Sequence, residues 1–289
     1  MGLDQDTWFS EVYDKEGSAF SLKIRAKLHE ETTPYQHIEI YDTERFGKLM
    51  VIDGCTMVSS RDNFLYHEMM SHPALFIHGS AKRVLIIGGG DCGTLREVLK
   101  HDSVTEAVQV DIDERVTRLS EQYFPELTSA NDDPRARLAF ADGIRWVEDS
   151  PADYYDIIII DSTDPVGFAE GLFSAPFYKR CHRALAADGI LIQQSESPLY
   201  HLDLIEDMHS AMHQIGFDQT KLLCFPQCIY PSGWWSASMA RKAGSIELPK
   251  NAEPVFDTEY YNADILSAAM AEPNFVRRRL GSGKRCSAA

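Results

Sequence analysis

The feature that most limits the fold of this chain is an apolar segment that runs directly into a series of glycines. Residues 83–87 are followed by Gly88-Gly89-Gly90-Asp91, and a helical pattern begins at Thr94. A strand, a glycine turn and a helix in this order are typical of the first unit of a doubly wound sheet, where the turn lies against a bound nucleotide. We therefore predict an α/β protein with a nucleoside ligand at this loop.

The chain after residue 65 alternates between strand and helix patterns. Helical patterns cover 66–76, 94–101 and 114–124, and strand patterns cover 107–111, 137–140, 155–160 and 189–193. Segments 221–225 and 236–240 are candidates for closing the sheet. This order predicts a doubly wound, mostly parallel sheet, in which the isoleucine run 157–160 is buried on both faces.

The first 65 residues have a different pattern. Segment 20–28 alternates apolar and polar residues, and the short apolar segments 37–41 and 48–52 follow, with glycine turns between them. This is typical of antiparallel hairpins. We predict an N-terminal β-hairpin domain over 1–65, a Rossmann-like catalytic domain over 66–280 and a flexible tail over 281–289.

The chain is strongly acidic. It has 28 Lys and Arg against 44 Asp and Glu, a formal net charge of −16. Such a field repels nucleic acids and anionic membranes and attracts cations, although an acidic surface also simply maintains solubility. We find no signal-peptide pattern and no apolar run of a spanning length. The six cysteines lack metal-site spacing. We expect a cytoplasmic protein with free thiols, no metal site, and neither nucleic-acid nor membrane partners.

Acidic residues follow four of the predicted strands. Ligands of doubly wound sheets bind beyond the carboxyl ends of the strands, so these side chains are expected to share one rim. Because like charges repel, a cationic ligand explains such a cluster better than structure alone. Two members have structural alternatives, a helix cap for Asp111 and a turn with Gly143 for Asp142. The acids are Asp91, Asp111, Asp142, Asp161 and Asp164.

The glycine loop also fits the G-x-G-x-x-G pattern of NAD-dependent dehydrogenases, which remain an alternative. Asp91 argues against a dinucleotide, because its carboxylate would face the pyrophosphate. An S-adenosyl sulfonium ligand has no phosphate and carries positive charge. A methyltransferase would use S-adenosylmethionine, which ends in a carboxylate. The decarboxylated form ends in an aminopropyl cation, and Asp91 favours that form.

Together these residues resemble the spermidine synthase (polyamine aminopropyltransferase) family. The resemblance extends from about residue 8 to 280 and therefore covers nearly the whole chain. It implies a methyltransferase-like Rossmann fold with a small N-terminal antiparallel β domain, and a homodimer or homotetramer. The segments that carry it are 35–36, 53–54, 66–69, 84–91, 95–98, 161–165, 230–233 and 259–262.

The resemblance also implies roles for individual residues. Asp161 is the expected catalytic base, and segment 164–173 is the expected lid. The residues expected to bind decarboxylated S-adenosylmethionine are Gln36, Asp91, Asp111, Asp142 and Gly143. Those expected to bind the amine acceptor are Tyr66, His67, Asp161, Asp164, Gln194 and Tyr230. The two tyrosines, which are expected to orient the attacking nitrogen, also fit a purely structural role in the core.

The implied reaction is transfer of an aminopropyl group to an amine, by default putrescine, which yields spermidine and methylthioadenosine. Decarboxylated S-adenosylmethionine is a substrate, and neither a metal nor a cofactor is required. Cadaverine, agmatine and spermidine remain alternative acceptors. A catalytically degenerate homologue that only binds or assembles is a further alternative.

Three positions differ from the usual family pattern. Cys92 replaces a glycine, and a positive φ there would strain a cysteine. Asp111 replaces a glutamate and has a shorter reach to the ribose. Phe168 lies in the lid where bacterial members often have proline. We expect these changes to affect affinity and acceptor choice more than the type of reaction.

Overall fold

The computed structural model describes residues 3–4, 6–165 and 167–281. Of the predicted tail 281–289, only Gly281 is among them. The strands are β1 Trp8–Tyr13, β2 Ser18–Thr32, β3 His37–Thr43, β4 Lys48–Ile52, β5 Cys55–Ser59, β6 Arg83–Gly88, β7 Glu106–Asp111, β8 Ala136–Phe140, β9 Tyr155–Asp161, β10 Leu185–Gln194, β11 Gln219–Pro226 and β12 Trp234–Arg241. The helices are α1 Asn63–His78, α2 Gly93–Leu99, α3 Glu114–Tyr123, α4 Gly143–Asp149, α5 Ala175–Ala184, α6 Leu202–Ile215, α7 Ala263–Ala269 and α8 Asn274–Leu280.

Strands β1 to β5 form an antiparallel sheet in the order of the chain. The sequence pattern predicts three of these strands, and β2 is longer than its predicted core because bulges let it continue to Thr32. The transition from strands to helices falls between Ser59 and Asn63. The division of the chain at residue 65 stays a prediction.

The larger sheet has seven strands in the order β11-β12-β10-β9-β6-β7-β8. The five strands from β10 to β8 are parallel, and β12 and β11 add antiparallel pairs at one edge. Ile157 and Ile159 pack in the core under α1, whereas Ile158 and Ile160 pack in the core under α5. The predicted burial of this strand on both faces is confirmed, as is the mostly parallel α/β fold.

The direction of strand addition reverses beside β6. The chain adds β7 and β8 on one side of β6, then returns to place β9 and β10 on the other. Such a switch point opens a crevice at the carboxyl ends of the two central strands. Gly88 pairs with Asp161 at this crevice, so the glycine loop and the end of β9 face each other.

Helix α1 connects the two sheets and brings its side chains to the same crevice. It begins at Asn63, before the predicted start at residue 66, and thirteen of its sixteen residues are buried. A helix buried almost all round shows little amphipathic periodicity, which explains why its start is hard to read from sequence. Among the described residues, no helix is both long and apolar enough to cross a membrane.

Candidate active site

The carboxylate of Asp161 lies at the centre of the crevice, where β9 ends. The Tyr66 hydroxyl donates to Oδ1 at 2.6 Å, and the Thr94 hydroxyl donates to Oδ2 at 2.6 Å. Burial and the negative charge of Asp91 raise the pKa of Asp161, while the two hydroxyl donors act in the opposite direction. Both oxygens are therefore held by O–H groups at a half-buried position.

Glycines make room for this carboxylate. A Cβ on Gly88 would lie 2.1 Å from the Asp161 carbonyl oxygen, and one on Gly89 would lie 2.9 Å from Oδ2. Both glycines have positive φ, and the Gly89 N–H donates to the Asp161 carbonyl at 2.7 Å. The glycine turn thus leaves the space that the end of β9 occupies.

Asp91 pairs with His67, which the resemblance assigns to the amine acceptor. His67 Nε2 lies 3.1 Å from Asp91 Oδ2, and the Gly93 N–H donates to Oδ1 at 2.8 Å. Burial opposes charge on both groups, yet their attraction raises the pKa of His67 and lowers that of Asp91. The Asp91 charge is therefore partly compensated within the protein, which the sequence argument did not anticipate.

The residues predicted for the ribose lie at the end of β7. The Asp113 N–H donates to Asp111 Oδ1 at 2.8 Å, and burial raises the Asp111 pKa to about 6. Asp113, not Asp111, caps α3, so the helix-cap alternative for Asp111 is wrong. Gln36 donates to Asp113 Oδ2 at 3.0 Å, which brings the N-terminal sheet to this end of the site.

The structure gives Asp142 the role of a helix cap. Asp142 is exposed, and its Oδ1 accepts from the Ile144 and Arg145 N–H groups at the start of α4. A Cβ on Gly143 would lie 2.5 Å from Ile87. The binding of decarboxylated S-adenosylmethionine by Asp142 and Gly143 stays a prediction, since capping uses only one of the carboxylate oxygens.

Four of the residues predicted for the amine line one pocket beside Asp161. They are Tyr66, Asp164, Gln194 and Tyr230. The rings of Tyr66 and Tyr230 lie 5.7 Å apart, and Trp235 packs 4.7 Å from Tyr230. The Tyr230 hydroxyl donates to the Met57 carbonyl at 2.6 Å. Tyr230 therefore contributes its ring to the pocket wall, and its hydroxyl oxygen can still accept a hydrogen bond; the expectation that it orients the nitrogen stays a prediction.

The sequence argument missed two acids near Asp164, namely Glu11 in the pocket lining and Glu196. Glu11 lines the pocket and accepts from the Thr56 N–H and hydroxyl at 2.8 and 2.7 Å. Glu196 is 2% exposed and has φ of +63°. Burial and the nearby Asp164 raise the Glu196 pKa to about 10. Glu196 lies two residues after the end of β10, so the strand-end rule that selected the other acids applies to it as well.

The predicted lid forms a 3-10 helix, Gly167–Phe173, beside the site. The Gln193 amide donates to the Leu172 carbonyl at 3.2 Å, and Gln194 donates to the Thr163 carbonyl at 3.4 Å. These two bonds fix both sides of the segment to the end of β10. The side chain of Phe168 lies outside the described part of the chain.

The fold and the site together define a class of protein, a methyltransferase-like α/β enzyme whose crevice is lined by carboxylates and aromatic rings. Comparison with known proteins narrows this class. Residues 63–250 match the family model described as the spermine/spermidine synthase domain, and residues 7–59 match the spermidine synthase tetramerisation domain.

Individual relatives agree with the family models. A polyamine aminopropyltransferase of Methylococcus capsulatus is 66% identical over 274 residues, covering 94% of this chain and 96% of the relative. One of Nitrosococcus oceani is 61% identical, covering 96% and 98%. A crystal structure of spermidine synthase in complex with the transition state analogue AdoDATO has a TM-score of 0.90 at 35% identity, covering 96% of each chain.

The chain belongs to the spermine/spermidine synthase family. It is a transferase of the aminopropyltransferase type. The transferase assignment replaces the dehydrogenase alternative that the glycine loop had left open.

Proposed function

We propose that this protein transfers the aminopropyl group of decarboxylated S-adenosylmethionine to putrescine, with Asp161 as the general base. The observation that carries this proposal is the position of Asp161, half-buried at the end of β9 beside a pocket lined by aromatic rings and acids. A half-buried carboxylate next to a pocket lined by acids and aromatic rings suits removal of a proton from an ammonium group.

The nucleoside substrate is proposed to bind along the rim from β6 to β8. Gln36, Asp111 and the Asp142-Gly143 turn are assigned to the nucleoside, and Asp91 is assigned to the aminopropyl ammonium. His67 compensates part of the Asp91 charge, so we assign the preference for the decarboxylated ligand to geometry as well as charge. A substrate carboxylate would meet Asp91 at close range, whereas an ammonium would complete its hydrogen bonds.

The acceptor is proposed to span the pocket from Asp161 to the acidic end. One ammonium transfers a proton to Asp161, and the free nitrogen attacks the carbon next to the sulfonium. The carbon–sulfur bond breaks, its electron pair neutralises the sulfur, and methylthioadenosine leaves. Because a sulfonium is a good leaving group, this reaction needs neither a metal nor a cofactor, and much of the rate comes from positioning the reactants.

The second ammonium of the acceptor is proposed to bind at the acidic end of the pocket. Asp164 lies there together with Glu11, and the Tyr13 hydroxyl lies 3.5 Å from Asp164 Oδ2. Charged carboxylates that lie close together and away from water destabilise one another unless a cation is bound. Burial and the neighbouring Asp164 accordingly raise the pKa values of Glu11 and Glu196. A diamine supplies the missing charge.

Assembly and location are part of the same proposal. Residues 7–59 match a tetramerisation domain, so we propose a homodimer or homotetramer formed through the N-terminal sheet. Cys55, Cys92, Cys181, Cys224 and Cys228 are free thiols, which favours the reducing cytoplasm.

The base is tested by Asp161→Asn. We expect turnover to fall by more than a hundredfold, because the amide cannot accept the proton, while methylthioadenosine binding measured by calorimetry stays unchanged. Near-wild-type turnover would exclude Asp161 as the base.

A competition assay with putrescine, cadaverine, agmatine and spermidine, with products identified by mass, tests the acceptor. A dominant product from any amine other than putrescine would overturn that choice.

A further inference from the structure

The first turn of α2 places a buried hydroxyl against the proposed base. Thr94 is fully buried, and its Oγ1 donates to Asp161 Oδ2 at 2.6 Å. We infer that Thr94 is a positioning residue for aminopropyl transfer, whose hydroxyl holds the Asp161 carboxylate in one orientation and in its proton-accepting form. This inference rests on the proposed role of Asp161 as the base.

The surroundings leave the Thr94 hydroxyl little freedom. Thr94 directly follows Gly93, whose Cα lies so close to the His67 ring that an added Cβ would come within 2.2 Å of it. The Ser71 hydroxyl on α1 donates to the Thr94 carbonyl at 3.3 Å. The start of α2 is therefore fixed against α1, and the hydroxyl keeps its position relative to β9.

The second carboxylate oxygen has a different donor. Tyr66 donates to Asp161 Oδ1 at 2.6 Å, so each oxygen receives one short hydrogen bond from a different helix. Two such bonds fix the plane of the carboxylate, since rotation of the group would lengthen at least one of them. The backbone of Gly89 passes close to Oδ2, since a Cβ added there would lie 2.9 Å from this oxygen.

The hydrogen bond from Thr94 to Asp161 also favours the charged form of the carboxylate. A hydroxyl that donates to a carboxylate stabilises the anion more than the acid, and charge-assisted bonds are among the stronger ones in proteins. Burial and the charge of Asp91 raise the pKa of Asp161 overall, while His67, Thr94 and Tyr66, in that order, act to lower it. Without Thr94, the acid would hold its proton to a higher pH. The titratable groups that interact with Asp161 are Tyr66, His67, Asp91, Asp111 and Tyr230.

Thr94→Val removes the hydroxyl and keeps the shape of the side chain. We expect the acidic limb of kcat/KM for putrescine to move upward by about one pH unit, since the unprotonated base is the active form. At pH values below the midpoint of this limb, we expect kcat/KM of Thr94→Val to be about tenfold lower than that of the wild type, mainly because kcat is lower. Thr94→Ser, which restores the hydroxyl, is expected to return the limb to within a few tenths of a unit of wild type.

A matched control is available on the other side of the same loop. Thr117 is also fully buried, and its hydroxyl donates to the Gly90 carbonyl at 2.9 Å without touching Asp161. Thr117→Val removes a comparable hydrogen bond and leaves every titratable neighbour of the base in place. It is expected to lower the melting temperature without moving the acidic limb.

The outcomes separate this inference from the proposal on which it rests. An unchanged limb in Thr94→Val, or an equal shift in Thr117→Val, overturns the role of Thr94. If Asp161→Asn is inactive while Thr94→Val behaves as wild type, only the role of Thr94 fails. If Asp161→Asn remains active, the base itself is wrong and the inference fails with it. Unchanged binding of methylthioadenosine in each variant shows that the site has folded.

Discussion

At the residue scale, the acids of the site share a charge but differ in their partners. Asp161 accepts two hydroxyl bonds, Asp91 pairs with His67, and Asp142 caps a helix. The strand-end rule predicts which acids lie on the rim, because it depends only on topology. It does not predict their partners, since the pairing of Asp91 with a residue 24 positions earlier depends on how α1 packs against the glycine loop.

Asp91→Asn tests the charge of that loop. The amide keeps the size of the side chain but removes the repulsion of a substrate carboxylate. We expect the ratio of the two Kd values, for S-adenosylmethionine over its decarboxylated form, to fall by about tenfold. Calorimetry with both ligands gives this ratio directly. Methylthioadenosine lacks the aminopropyl group and is the control ligand, whose affinity should not change. An unchanged ratio would show that Asp91 does not select by charge.

At the scale of elements, the turn between β6 and α2 lies at the proposed substrate site and contains a residue with a strained backbone conformation. Cys92 has φ of +67°, a conformation that glycine adopts easily and cysteine does not, and its side chain is fully buried. The sequence alone raises this possibility, because the residue lies in a glycine turn. The compensating contact comes from elsewhere in the fold, where the Gln109 amide on β7 lies 3.4 Å from the Cys92 sulfur. Such a contact depends on strand register and is not visible in the local pattern.

Two substitutions of Cys92 separate the strain from the contact. Cys92→Ala and Cys92→Gly both lose the thiol and its bond to Gln109, but only glycine adopts the left-handed conformation without strain. We expect the glycine variant to have the larger free energy of unfolding, by about 1 kcal/mol. Urea denaturation of the two proteins measures the difference. Equal stability, or a more stable alanine variant, would mean that the backbone at this position is not strained.

At the scale of the whole molecule, α1 connects the N-terminal sheet, the crevice and the C-terminal segment. Glu68 on this helix is 1% exposed and accepts the N–H groups of Glu259, Tyr260 and Tyr261 at 2.7 to 2.9 Å. The resemblance includes both segments, 66–69 and 259–262, yet only the folded chain shows that they bind each other. Tyr66 and His67 reach the site from the same turn of the helix, so the C-terminal segment stabilises the helix that supplies the site.

Glu68→Gln tests this long-range connection. The amide keeps one oxygen but directs an N–H₂ group towards backbone donors, so we expect the free energy of unfolding to fall by about 3 kcal/mol. Hydrogen exchange should also become faster at residues 259–261. The matched control is Glu253→Gln, because Glu253 is exposed and accepts a single N–H, that of Ala263, at 3.2 Å; it should change stability by less than about 0.5 kcal/mol. Equal losses of stability in Glu68→Gln and Glu253→Gln would show that the buried Glu68 carboxylate does not stabilise the packing of the C-terminal segment against α1.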